Sequence, residues 1–123
     1  MTELIEIETL RVLSFHGDEK VIRVAGDAND FIADAWAHHA DLLAIPLAQL
    51  GPDFLKLSTG VAGEVFQKFV NYRLRCAIVG DIAAELEASK ALRDFVRETN
   101  EGKSIWFVPD LDALRARLAG KAA

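Results

Sequence analysis

Cysteine and positive charge are both scarce in this sequence. The single cysteine, Cys76, has no partner for an internal disulfide and lies in the apolar run 74–79, so we interpret it as a buried structural residue. Acidic residues outnumber basic ones, and a net charge of -5 offers no basic surface for nucleic acid or for an anionic membrane. We therefore expect neither nucleic acid nor a membrane as a partner.

Long apolar segments are also missing. Residues 1–8 are acidic and alternating, unlike a secretory signal, and no apolar run is long enough to span a bilayer, so we expect a cytoplasmic protein. A chain of 123 residues suits one ordinary hydrophobic core. We predict a single domain over residues 1–119 and a frayed tail over residues 120–123.

The apolar pattern predicts strands at the start of the chain. Residues 4–8 alternate between apolar and acidic side chains and residues 11–16 are rich in strand-forming types, which indicates an antiparallel pair. We expect a turn at residues 17–18 and a further short strand at residues 21–24.

Helical and strand patterns then alternate. Asp27 or Asn29 is predicted to cap the first helix, and residues 42–47 indicate a buried strand with Pro46 near its end, because proline cannot donate to a ladder. The predicted apolar faces of the first two helices comprise Phe31, Ile32, Ala35 and Trp36, and then Val61, Ala62, Val65, Phe66, Phe69 and Val70.

The last third of the chain continues this alternation. Residues 76–79 and 104–109 are predicted strands, Ser89 is a predicted cap of a helix that ends at residues 100–102, and Asp110 opens a terminal helix. Two opening strands followed by alternating helices and strands predict an α/β fold. We expect one mixed sheet with a parallel section and an antiparallel edge, and helices packed on it.

Hydroxyls and glycines cluster at the predicted start of the second helix, within residues 57–72. Ser58 and Thr59 are able to cap the unpaired N–H groups there, and Gly60 and Gly63 allow a backbone or a phosphate to approach closely. Three interpretations stay open: a plain helix cap, a phosphorylation switch, or an anion pocket for phosphate or a nucleotide. The stretch lacks both the Walker lysine and a GxGxxG fingerprint.

A second group of candidate residues belongs to the predicted carboxyl edge of the sheet. Asp81 follows Gly80 at the end of an apolar strand, where ligands of open α/β folds bind. Ser89 and Arg93 would line the same edge from the following helix. The alternatives are ordinary turn chemistry for Asp81, capping for Ser89 and a solvated helix face for Arg93.

We predict no metal site and no cofactor. His38 and His39 are adjacent and would point about 100° apart on a helix, whereas metal-ligand pairs are usually separated by three or four residues. No Ser-His-Asp or Cys-His arrangement is visible, although such groups need only meet in space. Four aromatic side chains are interpreted as core or, alternatively, as an interface patch: Trp36, Phe66, Phe69 and Trp106.

Four segments of the chain carry a resemblance to a known family: Leu57–Glu64, Gln67–Tyr72, Ala77–Asp81 and Ser89–Phe95. Together they resemble a bacterial family classified as a domain of unknown function (DUF4180). The resemblance covers residues 27–118 and implies relatives, without implying an activity or catalytic residues.

A looser resemblance concerns the turn before the second helix. A buried strand followed by Phe54-x-x-Leu-Ser-Thr-Gly-Val-Ala-Gly is similar to the STAS domains of anti-sigma factor antagonists. That family has Asp-Ser-Ser-Gly-Leu-Gly in this turn, and a partner kinase phosphorylates a serine or threonine there to control binding. Ser58, Thr59 and Gly60 occupy the matching positions, whereas Leu57 replaces the aspartate and residues 51–56 are additional.

Two hypotheses of different classes follow. The first is a STAS-like regulatory module that binds another protein, such as a kinase or regulator, through residues 58–68 with Glu64 and Lys68 on that surface, switched by Ser or Thr phosphorylation. The alternative is a small-molecule or nucleotide-binding domain that uses Ser58–Gly63 together with Asp81, and an enzyme comes third. A homodimer fits either class, because exposed strand edges are commonly covered.

Overall fold

The computed structural model describes residues 2–16 and 20–120, which form five strands and five α-helices. The strands are β1 (Thr2–Ile7), β2 (Leu10–Phe15), β3 (Leu42–Pro46), β4 (Arg75–Val79) and β5 (Ile105–Val108). The helices are α1 (Ala28–Ala37), α2 (Val61–Asn71), α3 (Ala83–Ala88), α4 (Lys90–Glu101) and α5 (Leu111–Leu118). Short 3₁₀ turns occur at Ala25–Asp27, Leu47–Gln49 and Leu57–Thr59.

The strands form one mixed sheet in the order β1-β2-β3-β4-β5. β1 pairs antiparallel with β2, and Ile7 lies opposite Leu10, so Glu8 and Thr9 alone make the connecting turn. β2 to β5 are parallel to one another. The predicted α/β fold, with a parallel section and an antiparallel edge, is therefore confirmed.

The larger hydrophobic core lies on the face of the sheet that α1, α2 and α4 cover. Each parallel strand adds beside its predecessor, and right-handed crossovers then place all the connecting helices on the same face. Phe66 of α2 joins these layers, because its ring centroid lies 5.6 Å from that of Phe54, 6.1 Å from Phe95 and 5.7 Å from Phe107. Aromatic contacts of this kind link α2 to both α4 and β5.

α5 covers the opposite face of the sheet. Leu114 is completely buried there, in a smaller core that includes Ala44 and Ala77 from the central strands. Small side chains at these positions let a short helix approach the sheet closely. The carboxylate of Asp110 accepts a hydrogen bond from the Ala113 N–H at 2.8 Å, so the predicted cap of this helix is confirmed.

Several other local predictions are also confirmed. Pro46 is the last residue of β3, and the Ser89 hydroxyl accepts the Leu92 N–H at 3.1 Å to cap α4, which ends at Glu101. Cys76 is completely buried in β4, and this burial raises the pKa of its thiol far above the ordinary value. The thiol is therefore protonated and acts as a small apolar side chain.

The short strand predicted at residues 21–24 is wrong. Ile22 makes one isolated parallel bridge to Leu50, and the chain then enters a 3₁₀ turn. Only Ile22 of this segment is buried, and the N–H groups of Arg23 and Val24 donate to the Asp27 carboxylate instead of to a neighbouring strand. The predicted turn at residues 17–18 and residues 121–123 of the predicted tail lie outside the described residues.

The predicted cap of α1 is only partly right, because Asp27 is the N-cap residue but its side chain makes no capping hydrogen bond to the helix. The Asp27 carboxylate accepts the N–H groups of Arg23 and Val24 at 2.9 and 3.1 Å, so it holds the preceding turn and not the helix. These two bonds lower the pKa of the Asp27 carboxyl below its ordinary value. Asn29 lies inside α1, where its side chain faces Lys68 of α2.

Two features of the helices were not predicted. The first is α3, a short helix that precedes the one capped by Ser89. Its apolar pattern is weak, because Leu86 is its only partly buried residue. Trp36 is not in the core, since 59% of it is exposed, whereas Phe66, Phe69 and Trp106 are buried as predicted. The apolar period of α1 therefore extends one residue beyond the part that the sheet covers.

A matched pair of neighbouring residues on α2 tests the packing. Phe69 is completely buried as predicted, whereas the prediction for Val70 is wrong, since it is 43% exposed and not on the core face. We expect Phe69→Ala to lower the free energy of unfolding by about 3–5 kcal/mol, because it leaves a cavity in the core. Val70→Ala should change it by about 0.5 kcal/mol or less. Urea denaturation followed by circular dichroism measures both, and equal losses would contradict this arrangement of α2.

Candidate functional site

The two candidate hydroxyls lie on a 3₁₀ turn that precedes α2. The Thr59 hydroxyl donates to two carbonyl oxygens, which share its proton: that of Lys56 at 2.8 Å and that of Asp53 at 3.0 Å. It also accepts the N–H of Val61 at 3.3 Å. Ser58 is exposed, and its hydroxyl has no hydrogen-bond partner within the described residues. The two neighbours therefore differ, because the Thr59 hydroxyl stabilises the turn and the Ser58 hydroxyl makes no such contact with the described residues.

The start of α2 differs from the predicted serine or threonine cap. The N-cap residue is Gly60, whose φ of 77° is left-handed and favours glycine. The Glu64 N–H donates to the Gly60 carbonyl at 3.1 Å, and a side-chain carbon at position 60 would lie 3.5 Å from Glu64 Oε1. A carboxylate thus already lies beside the positive end of this helix. Gly63 has open space beside it, so its small size serves no contact within the described structure.

Lys68 connects this region to an exposed aromatic pair. Its ammonium lies 3.4 Å from the Asn29 side-chain oxygen, so it bridges the outer faces of α2 and α1. Farther along the same two helices, Trp36 meets the ring of Tyr72 edge to face, with centroids 5.4 Å apart. A cavity of about 190 Å³ lies between the helices and is lined by Asn29, Ile32, Ala33, Trp36 and Tyr72.

Trp36 and Tyr72 are 59% and 46% exposed, which is unusual for side chains of this size. Their polar tips and large apolar rings suit protein interfaces better than solvent. We refer to residues 58–68 of the chain, together with Asn29, Trp36 and Tyr72, as the α1–α2 surface.

The carboxyl edge of the sheet carries two further cavities. The larger, about 410 Å³, is a mostly apolar groove between residues 47–56 and the junction of α3 and α4, and Lys56 and Ser89 lie on its rim. The smaller, about 220 Å³, contains Asp81 beside Asn100. Neither is lined by Ser58, Thr59 or Gly60, so these hydroxyls and Asp81 do not share a described cavity.

Three of the candidate residues at this edge make local backbone contacts. The Asp81 carboxylate accepts the Ala83 N–H at 2.9 Å at the start of α3. Arg93 donates to the carbonyl oxygens of Leu86 and Glu87 at 2.7 and 3.2 Å, which ties the end of α3 to α4. Together with the Ser89 cap, these contacts stabilise the bend between the two helices.

The structure therefore divides the predicted site residues into two groups. One group lies on the turn before α2 and along that helix: Ser58, Thr59, Gly60, Gly63, Glu64 and Lys68. The other group lies around α3: Asp81, Ser89 and Arg93. Sequence reasoning missed the pairing of Trp36 with Tyr72. The available signal was that Tyr72 comes directly after α2 at a position where the apolar period of that helix ends.

The described residues, 2–16 and 20–120, contain no group of three or more His, Cys, Asp or Glu side chains arranged to hold a metal ion. His38 Nδ1 lies 2.9 Å from the Asp34 carbonyl oxygen of the preceding turn, and His16 lies 3.3 Å from Glu3. Within the same residues, no helix has the length and apolar character needed to cross a membrane.

Comparison with known proteins identifies the family of this chain but assigns no activity to it. The family model described as Domain of unknown function (DUF4180) matches residues 7–118, which extends the resemblance seen in the sequence to β2 and the end of β1. No curated protein and no solved structure matches the chain. The matched residues include β2 to β5, the last residue of β1 and all five helices, and the chain belongs to the DUF4180 family.

Proposed function

We propose that this protein is a regulatory module that binds another protein through the α1–α2 surface, and that phosphorylation of Ser58 switches this binding. The observation that carries the proposal is the exposed pair of Trp36 and Tyr72 beside a cavity large enough for one apolar side chain of a partner. Aromatic residues around such a cavity are typical anchors of protein interfaces.

The hydroxyl turn supports the second part of the proposal. Ser58 is exposed and has no hydrogen bond to lose within the described residues, so a kinase could modify it without breaking the fold. The turn follows β3 and precedes α2, as the likeness to STAS domains requires, and we propose a cytoplasmic role of that kind. A phosphoryl group adds about two negative charges beside Glu64, which would repel an acidic partner or attract a basic one.

The alternative, a small-molecule site at Ser58–Gly63, has less support. The carboxylate of Glu64 lies against Gly60, where it competes with any anion for the N–H groups of the first turn. The described cavities at the carboxyl edge are lined by other residues.

Partner capture tests the α1–α2 surface. We expect Trp36→Ala to weaken binding of the native partner by about thirtyfold, since an interface anchor contributes about 2 kcal/mol or more. Val70→Ala is the matched control, because Val70 is an exposed apolar residue of α2 that does not line the cavity. Proteins captured from native cells by each variant are compared, and the affinity of the purified partner is then measured by calorimetry.

A partner that binds wild type, Val70→Ala and Trp36→Ala equally would contradict the proposed surface. If the captured partner is a second copy of the chain, sedimentation of the three variants gives the same comparison. Thermal unfolding of Trp36→Ala must stay near that of wild type for the result to report on binding.

Phosphopeptide mapping of protein from native cells tests the switch. We expect a phosphoryl group on Ser58 and not on Thr59, because the Thr59 hydroxyl is hydrogen-bonded to two carbonyl oxygens. If the peptide that contains both residues is well covered in many growth conditions and never modified, the switch is rejected and the binding surface alone remains.

Two alanine variants distinguish the hydrogen-bonded hydroxyl of Thr59 from the exposed hydroxyl of Ser58. We expect Thr59→Ala to lower the free energy of unfolding by about 1 kcal/mol, through loss of its hydrogen bonds to the turn. Ser58→Ala should leave it unchanged. Denaturant titration measures both, and a larger loss for Ser58→Ala would show that this hydroxyl holds the fold and is unsuitable as a switch.

A further inference from the structure

A cationic cavity lies on the face of the sheet that α5 covers, and none of its described lining residues belongs to the α1–α2 surface. Its volume is about 440 Å³, within the range of small-molecule sites. Three of its lining side chains are cations, Arg75, Lys103 and Arg117, and Glu8 is the only acidic one among the lining residues described. This local excess of positive charge occurs in a chain with a net charge of -5.

The two arginines of this cavity are held in place without a carboxylate. The Arg75 guanidinium lies 4.7 Å from the ring centroid of Trp106 and donates to the Lys103 carbonyl oxygen at 3.2 Å. The Arg117 guanidinium lies 4.4 Å from the same centroid and donates to the Asn100 carbonyl oxygen. Cation–π contacts and neutral acceptors thus fix both side chains.

None of the three cations has an ion pair within residues 2–16 and 20–120. Arginines at protein surfaces usually gain from a carboxylate or phosphate, which their planar N–H groups bind two at a time. Arg75 and Arg117 keep N–H donors for which no described residue supplies an acceptor, and both side chains line this cavity. A bound anion would use those donors.

We propose that this cavity binds the phosphate group of a small molecule. A phosphate ester carries close to two negative charges and three acceptor oxygens, which suits two guanidinium groups and one ammonium better than a single carboxylate does. The ordering cost is low, because both arginines are already positioned. The site is independent of the function proposed for the α1–α2 surface.

The cavity would recognise its ligand through charge and not through aromatic stacking. Trp106 is only 5% exposed and its ring already contacts both guanidinium groups, so little of it remains for a nucleobase. Its indole N–H is also occupied, since it donates to the Gly102 carbonyl oxygen at 2.8 Å. A sugar phosphate or a similar polar phosphate therefore fits this cavity better than a stacked base.

Trp106 supplies a direct readout. The sequence has two tryptophans, so Trp36→Phe leaves Trp106 as the only one. We expect pyrophosphate, titrated at constant ionic strength into this variant, to change the fluorescence of Trp106 with a saturable curve, and inorganic phosphate to do so more weakly. Citrate at matched charge separates phosphate from carboxylate recognition.

Variants that remove a cation and a variant that removes the carboxylate of Glu8 test the proposal in opposite directions. In the Trp36→Phe background, Lys103→Gln and Arg117→Gln should weaken pyrophosphate binding by about tenfold, the value of one charged hydrogen bond. Glu8→Gln should tighten it several-fold, because this removes the only acidic group known to line the cavity. Arg115→Gln is the matched control, since Arg115 is exposed on α5 and is not among the lining residues.

Three results would overturn the proposal. One is a fluorescence change that sodium chloride reproduces at equal ionic strength, which is screening and not binding. Another is citrate binding as tight as pyrophosphate binding, which removes the assignment to phosphate. The last is equal affinity in Glu8→Gln, Lys103→Gln and Arg115→Gln. Lys103 and Glu8 are both exposed, so these variants report on the site even if Arg117→Gln fails to fold.

Discussion

The strictly sequential order of the parallel strands is the constraint on which the other features depend. β3, β4 and β5 each join the sheet beside the strand that precedes them in the chain. Because crossovers between parallel strands are right-handed, α1, α2 and α4 must all pack on one face. Within residues 2–16 and 20–120, the other face is covered by one helix, α5, which follows the last strand. The two faces therefore differ in thickness, and each offers a different kind of surface.

On the thick face, neighbouring helices leave a groove between their outer sides. Trp36 lies in the last turn of α1, beyond the part of the helix that the sheet covers, and its ring contacts that of Tyr72, which follows the end of α2. On the thin face, one eight-residue helix cannot cover Trp106 by itself. The aliphatic stems and guanidinium groups of Arg75 and Arg117 complete that cover, which concentrates positive charge at one place. An exposed aromatic pair and a cationic cavity are thus consequences of the same topology.

Local chemistry explains which parts of this structure the sequence was able to predict. The hairpin pattern, Pro46 at a strand end and the caps Ser89 and Asp110 depend on residues within one turn or one strand, and all were found. α3 was missed because a short helix with one half-buried leucine has hardly any apolar period. Trp36 was left open between the core and an interface patch, because periodicity indicates the face of a helix and not how far the sheet extends beneath it.

The candidate sites were less predictable because they combine residues from distant elements. The hydroxyl turn was found since Ser58 and Thr59 are neighbours, yet only the fold distinguishes a hydroxyl that bonds two carbonyl oxygens from one that bonds none. The cationic cavity combines β4, the segment before β5, and α5, and no local pattern joins Arg75, Lys103 and Arg117. The residue types of both sites were visible in the sequence, but the proximity of the residues that form the cationic cavity was not.

The bonds of Thr59 also restrict how a switch at Ser58 would operate. They connect the turn to Asp53 and Lys56, and Lys56 lies on the rim of the apolar groove at the carboxyl edge. Because those bonds do not involve Ser58, a phosphoryl group there has no internal contact to break. The turn would stay folded, and the change would consist of added charge on an ordered surface beside Glu64. A switch of this kind selects between partners by electrostatics and does not need an order-to-disorder transition.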